Sequence, residues 1–326
     1  VYAVCKEALP VTTTLDYSSA TGSPDQYSLS WSAAAIGKGF TNVSFASSTL
    51  NPGSIDIPVP SGALAGTTYK AKLGLKNSTT GCEGYVTDSI SVFINPTPSV
   101  TVDTVYAVCE DALPVTTALN YSSAIGSPDQ YSLSWSATAI GQNFVDISFA
   151  DSTLRAGVIY IKVPTGALPG SYKAKLGLKN TTTGCEGTVT DSITVTVNAT
   201  PTMTTISSAS VCKGETSASI TYVSTTGNPS TYSLSWSGEA NTAGFVDRNF
   251  GDSTLRAGVI YIAVPSGASA GTYSAKLGLK NATAGCEGYV TDSISVTINP
   301  TPSVTVDTVY AVCKEALPVT TTLDYS

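Results

Sequence analysis

The sequence contains no histidine and only one methionine. Ser–His–Asp and Cys–His nucleophile systems both need an imidazole as base, so neither can be built within this stretch. Charge is sparse: charged residues make up 12% of the chain, with 16 Lys and Arg against 23 Asp and Glu, a net −7. A nucleic-acid binder needs a clustered basic face, and these cations are few and scattered. No apolar run approaches the ~20 residues of a membrane-spanning helix. No CxxC spacing occurs, and no DxDxDG-type string occurs for calcium. No segment combines helical periodicity with capping residues.

What is present is repetition. Residues 1–18 read VYAVCKEALPVTTTLDYS, and residues 309–326 read the same string. Two further versions begin at Val105 and Ser208. YSLSW recurs at Tyr27–Trp31, Tyr131–Trp135 and Tyr232–Trp236, and AKLGLKN at Ala71–Asn77, Ala174–Asn180 and Ala275–Asn281. GCEG recurs at Gly81, Gly184 and Gly285. The unit is about a hundred residues, the size of one β-sandwich domain. Proline marks the joints: NPTP at Asn95–Pro98, NATP at Asn198–Pro201 and NPTP at Asn299–Pro302. The expected division is a first repeat at 1–96, complete repeats at 97–199 and 200–299, and the start of a further one at 300–326. Val1 and Ser326 both fall inside the repeated motif, so the expectation is a window on a longer polypeptide.

Within one unit the apolar residues alternate with period two, the strand signature. Tyr27, Leu29 and Trp31 share one face, as do Tyr69, Ala71, Leu73 and Leu75, with Lys70, Lys72, Gly74 and Lys76 opposite. Pro58 assigns the SIDIPVP segment to a sheet edge. The segments PSVTVD, VYAVC, VTTTLDYS, QYSLSW, TNVSFA, SIDIPV, TYKAKLGLK and VTDSISVFI give seven or eight strands per unit. The expected class is all-β, a tandem array of antiparallel two-sheet sandwiches with Trp31, Trp135 and Trp236 in their cores.

Seven cysteines occur, one early and one late in each unit: Cys5 and Cys82, Cys109 and Cys185, Cys212 and Cys286, with Cys313 left over. Disulfides within each unit, Cys5–Cys82, Cys109–Cys185 and Cys212–Cys286, are the expected pairing, with the partner of Cys313 outside the window. Reduced core thiols and a metal site are the alternatives, the latter requiring ligands from separate units with no histidine to help. Disulfides place the chain in an oxidising compartment.

Other candidates for chemistry have plainer readings. GDSTL at Gly251–Leu255 resembles the nucleophile block of GDSL-type hydrolases, but that family uses a histidine and the sister strings read ASSTL and ADSTL. Glu83, Glu186 and Glu287 recur after the late cysteine, but no second acid recurs with them to form a glycosidase pair. Asp25 and Asp129 have Ser230 as their counterpart, which argues against a repeated cation site. The tryptophans alternate with core residues, which favours packing over sugar stacking. No cofactor, no metal and no catalytic residue is expected, and the chain is expected not to be an enzyme.

The run YSLSW, then GTTYKAKLGL, GCEG and VTDSISVFI, with VCKG at Val211–Gly214, resembles the PKD-like and SprB-type repeats of Bacteroidota surface adhesins, gliding-motility adhesins among them. The resemblance covers each unit end to end. It implies an Ig-like sandwich and a secreted, extracellular cell-surface adhesin exported by the type IX system. The unit departs from true immunoglobulin domains: Trp31 lies 26 residues after Cys5, and no Tyr stands two residues before Cys82. Asp-Ser/Thr strings resemble the O-glycosylation motif of the same bacteria, making Ser89, Thr104, Ser152, Ser192, Ser253, Ser293 and Thr308 candidate glycan carriers. The plainer reading is that Asp-Ser suits strand ends. The expected function is a structural, rod-like spacer of a surface filament or adhesin, serving adhesion or motility. Its expected partners are other copies of the chain or neighbouring repeats in a fibre, and a surface glycan or substratum; neither nucleic acid nor a membrane span is expected. Alternatives are a carbohydrate-binding array and accessory domains of a large secreted enzyme.

Overall fold

The computed structural model describes residues 2–86, 89–188, 193–290 and 293–306, with the isolated positions 314, 318, 320 and 322. Three β-sandwiches follow one another in sequence. The first is built from β1 (Tyr2–Cys5), β2 (Val11–Asp16), β3 (Gln26–Trp31), β4 (Ser54–Val59), β5 (Thr68–Lys76), β6 (Glu83–Tyr85) and β7 (Ile90–Asn95). The second uses β8 (Ser99–Val102), β9 (Val108–Cys109), β10 (Val115–Ile125), β11 (Gln130–Trp135), β12 (Val158–Val163), β13 (Gly170–Lys179), β14 (Glu186–Thr188) and β15 (Ile193–Asn198). The third uses β16 (Thr202–Ile206), β17 (Ala209–Cys212), β18 (Ser217–Thr226), β19 (Thr231–Trp236), β20 (Val259–Ala263), β21 (Gly271–Lys280), β22 (Glu287–Tyr289) and β23 (Ile294–Asn299). The longest helix among the described residues is the five-residue Gly238–Thr242. The fold is all-β and Ig-like, as expected.

Each larger sheet has the order β1-β7-β5-β3, or its equivalent, with the short hairpin strand β6 added to β5. The facing sheets are β2-β4, β12-β10-β8 and β16-β18-β20. Most pairings are antiparallel, but β1 lies parallel to β7, with Tyr2 opposite Val92 and Cys5 opposite Asn95, and β17 lies parallel to β23. The cause is a sheet switch. The chain pairs with the last strand, makes a 3-10 turn at Lys6–Ala8, and crosses past Pro10 into the other sheet as β2. The TNVSFA segment is not a strand: it makes one bridge, Val43 with Leu29, and then a 3-10 turn at Phe45–Ser47. The Pro58 strand, β4, is an edge, as its missing N–H dictates.

Each sandwich has its own core. Trp31, Trp135 and Trp236 are buried, and each leads an aromatic stack: Trp31 on Phe40 at 4.4 Å between ring centroids, and Phe40 on Tyr69 at 4.8 Å. The period-two expectation therefore holds on the inner face. Gly74 lies on the outer face, as the alternation places it, but is buried there: a Cβ would lie 2.4 Å from Ser28 Oγ and 3.0 Å from both Phe45 and Tyr85. By compactness the chain divides into two units, residues 1–108 with 112–197, and residues 109–111 with 198–326.

Candidate functional site

The chemistry concentrated in this chain is its cysteines, and their pairing differs from the expectation. Cys5 is bonded to Cys185 and Cys109 to Cys286, at sequence separations of 180 and 177. Each bond lies inside one compact unit. In both, the early cysteine of one repeat is joined to the late cysteine of the next. The bonds Cys5–Cys82, Cys109–Cys185 and Cys212–Cys286 do not form; Cys82 and Cys212 are free and exposed, and Cys313 lies outside the described residues.

Strand direction explains the correction. Cys5 stands opposite Asn95, and Ile94 bonds to Thr67 just before β5 begins. Cys82 follows the far end of β5, where Asn77 N donates to Cys82 O. The nine residues of β5 separate these points, roughly 30 Å at ~3.3 Å per residue, whereas a disulfide needs Cα atoms within ~7 Å. The observed pairs have Cα–Cα distances of 5.4 and 5.5 Å.

The staple in the first unit is built from three short pieces. The first is the 3-10 turn after Cys5. Lys6 Nζ donates to Ser61 O and Ala63 O, both at 2.8 Å, which fixes the turn to its own sandwich. Glu7 then reaches across: Oε2 accepts from Thr97 Oγ1 and Oε1 from Glu186 N, both at 2.9 Å. The second piece is the joint. Gly187 comes so close to it that a Cβ would lie 2.0 Å from Pro98 O. The third is the GCEG loop. Gly184 supplies the left-handed turn, with φ +72°. Asn180 ties the loop down, its amide donating to Gly126 O at 2.9 Å and Ser127 O at 3.0 Å while Oδ1 accepts from Thr183 N at 3.0 Å. Cys185 is 1% exposed. In the second unit Cys286 is also 1% exposed, Asp111 N donates to Thr200 Oγ1 at 3.1 Å, and Gly288 lies under Pro201 O as Gly187 lies under Pro98 O.

Cys5, Glu7 and Cys185 bring three potential ligand atoms together, but the two sulfurs are bonded to each other, so no thiolate pair is offered to an ion. Glu83, Glu186 and Glu287 are bound by Lys76, Lys179 and Lys280 at 2.9, 2.8 and 2.8 Å, and each lysine also lies over a phenylalanine ring, Lys76 at 5.6 Å from the Phe45 centroid. Asp25 caps the same loop, accepting from Ser78 N at 2.7 Å and from the Ser78 hydroxyl, and Asp129 does so with Thr181. The Ser78 hydroxyl, followed by its backbone N–H, holds the Asp25 carboxyl below the usual aspartate value; the Thr181 hydroxyl does the same for Asp129. Ser230 plays the neutral version, accepting from Ala282 N at 3.0 Å.

The candidate glycan carriers divide. Ser89, Thr104 and Ser293 are exposed. Ser152 and Ser253 are buried and are removed as candidates. Ser152 Oγ accepts from Tyr131 N at 3.0 Å and donates to Tyr131 O; Ser253 does the same with Tyr232, accepting from its N at 3.1 Å. Ser192 and Thr308 lie outside the described residues. No helix of the described residues is long and apolar enough to cross a membrane.

No protein-family model matches the chain, and no curated protein matches it. Solved structures similar to it include a three-Ig stretch of titin, domains I67–I69 in an E-to-A variant, at 11% identity and TM-score 0.39, covering 92% of this chain and 95% of that one. The FN1–FN3 domains of chicken CNTN1 match at 12% identity and TM-score 0.35, covering 88% and 93%. The fibronectin(III)-like modules of Clostridium thermocellum CbhA match at 14% identity and TM-score 0.31, covering 62% and 95%. These likenesses are too loose to carry an argument about function.

Proposed function

We propose that this chain is a structural repeat stretch of a secreted bacterial cell-surface filament or adhesin, serving adhesion or surface motility as a spacer and not as a catalyst. The observation that carries the reading is the staggered disulfide, early cysteine of one repeat to late cysteine of the next. A mechanical array gains from bonds that bridge the joints, because each bond shortens the chain that force can extract. Disulfides of this kind also favour an oxidising, extracellular setting. The resemblance of YSLSW, AKLGLKN and GCEG to gliding-type adhesin repeats supports a Bacteroidota surface and type IX export. Against a carbohydrate-binding array stands the burial of Trp31, Trp135 and Trp236, which leaves those three rings unable to stack on a sugar.

The test is small-angle scattering and electron microscopy of the oxidised protein, together with immunogold labelling of source cells. The expected result is a rod, with a radius of gyration well above the ~20 Å of a compact body of this length, and label at the cell surface. A globular particle, or label confined to the cell interior, would overturn the reading.

A further inference from the structure

The three sandwiches bury the same set of core positions, so a place where one departs from the other two is informative. One such place is the isolated bridge beside the YSLSW strand: Leu29 with Val43, Leu133 with Ile147, and Leu234 with Arg248. Residues opposite each other in an antiparallel pair share a face, and all three leucines face the core, so the bridging side chain starts out on the core side. Val43 and Ile147 pack against their cores as that placement requires. Arg248 is half-buried in the same place and puts a guanidinium where the other repeats put hydrocarbon. Among the described residues this guanidinium has neither a hydrogen bond nor an ion pair. The third sandwich therefore gives up apolar packing, desolvates part of a cation and gains no internal partner in return.

Three features surround the departure. First, Arg248 lines a cleft of about 360 Å³ together with Asp252, Thr254, Arg256 and Tyr261, alongside the edge strand β20. Two of the chain's three arginines meet there, and Arg256 also lacks a side-chain partner among the described residues. Second, Asp252 is released. Its counterpart Asp151 accepts from the Ser148 hydroxyl at 2.5 Å, whereas Asn249 replaces that serine and the Asp252 carboxylate has no hydrogen bond among the described residues. Third, Tyr261 is 54% exposed. The other repeats hold only part of this set: the second has Arg155 and Tyr160 but Ile147, and the first has Val43, Asn51 and Asp56.

We infer that this cleft in the third sandwich is a binding site for an acidic saccharide, a uronic-acid unit of a polysaccharide. A guanidinium is a planar fork of N–H donors that matches a carboxylate. The chain is acidic overall, at net −7, so it holds an anion only where cations are gathered. Asp252 decides between kinds of carboxylate. It repels the neighbouring acid of an acidic peptide, but it accepts hydrogen bonds from the ring hydroxyls that stand beside a uronate carboxylate. Thr254 and Tyr261 add hydroxyls for the same ring, and the tyrosine adds an apolar face for its C–H side. Trp31, Trp135 and Trp236 stay in their cores, so this is one site in one repeat and not an array. The inference stands apart from the proposed spacer role and needs nothing from it.

The test is isothermal titration calorimetry of the full 326-residue chain with trigalacturonate, set against neutral galactotriose and triglutamate. Expected is one-to-one binding of the uronate, about tenfold or more tighter than either comparison and weakening as salt rises. Arg248→Ile installs the residue of the second repeat. It should lower uronate affinity about tenfold or more, with a melting temperature unchanged or raised because hydrocarbon returns to the core. Arg256→Asn installs the residue of the first repeat at an exposed position and should lower the affinity likewise, so the assignment is checked without touching the core. Asp252→Ser, again the first repeat's residue, should weaken uronate binding and admit triglutamate. Absence of uronate binding at millimolar concentration, equal binding of galactotriose or triglutamate, an affinity untouched by both arginine variants, or a chain in which Asp252→Ser leaves the preference for uronate over triglutamate unchanged would each overturn the inference.

Discussion

Two bonds, Cys5–Cys185 and Cys109–Cys286, overlap along the chain. Their overlap has a covalent consequence: any single backbone cleavage between Cys5 and Cys286 is bridged by at least one of them. Tyr106 is the place to test this. It is exposed, in a stretch without regular structure before β9, and it lies between Cys82 and Cys109. Disulfides inside each repeat would leave the bond after Tyr106 unbridged; the observed Cys5–Cys185 bond spans it. Cleavage there by a chymotrypsin-type protease splits the polypeptide into pieces of about one-third and two-thirds of its 33.3 kDa. On a non-reducing gel the nicked protein should run as one species at full mass, and reductant should release both pieces. In a Cys5→Ser, Cys185→Ser double variant the same nick should separate the pieces without reductant. The bonds also matter energetically, because loops of 180 and 177 residues carry a closure entropy worth about 5 kcal/mol each in the chain-entropy model. The refuting result is release of the one-third piece from the parent protein before any reduction.

Gly187→Ala would set a methyl 2.0 Å from Pro98 O and 3.0 Å from Thr97 Cγ2, backbone and joint that cannot easily move. It should cost about 1–3 kcal/mol, read as a fall of several degrees in the melting temperature of the unit. Ser152→Ala strands the Tyr131 N–H that its hydroxyl accepts, at about 1–3 kcal/mol, and should leave the glycan mass of native protein unchanged because that hydroxyl is buried. The Asp25 and Asp129 carboxyls are held below their ordinary value in the folded chain, by the Ser78 and Thr181 hydroxyls first of all. Their stabilisation is therefore fully present above the unfolded aspartate pKa, and is lost as pH falls through the depressed folded one. Asp129→Ser copies the neutral Ser230 arrangement, and it should weaken the acid dependence of thermal unfolding below about pH 4; an unchanged acid limb would refute the carboxylate's role.

The parts of this fold that were legible in sequence are those set by neighbours along the chain. Alternation in YSLSW places Leu29 and Trp31 inside because successive strand residues face opposite ways, and Pro58 marks an edge because it has no N–H to give. What sequence reasoning missed depends on a second layer of contact. Gly74 reads as an outer-face residue, and it is; but Phe45 and Tyr85 fold over that face, and only glycine leaves them room. The cysteine pairing is the larger case. Treating each repeat as closed makes Cys5–Cys82 the natural bond, whereas the direction of β1 along β7 sends Cys5 to the joint and away from Cys82. The signal lay in GCEG itself, which is more than a turn needs. Gly184 supplies the left-handed backbone; Cys185 takes the sulfur of the preceding repeat; Glu186 gives its carboxylate to Lys179 and its N–H to Glu7; and Gly187 lets the Pro98 carbonyl approach. The left-handed turn and the Glu186–Lys179 ion pair belong to the hairpin, since the same pair forms as Glu83 with Lys76 in the first sandwich; the remaining roles do not. Cys185, Glu186 and Gly187 are fully used once the preceding repeat is in place, so the string is better understood as a socket for a neighbour, and the repeat as a unit whose chemistry is completed across its joint.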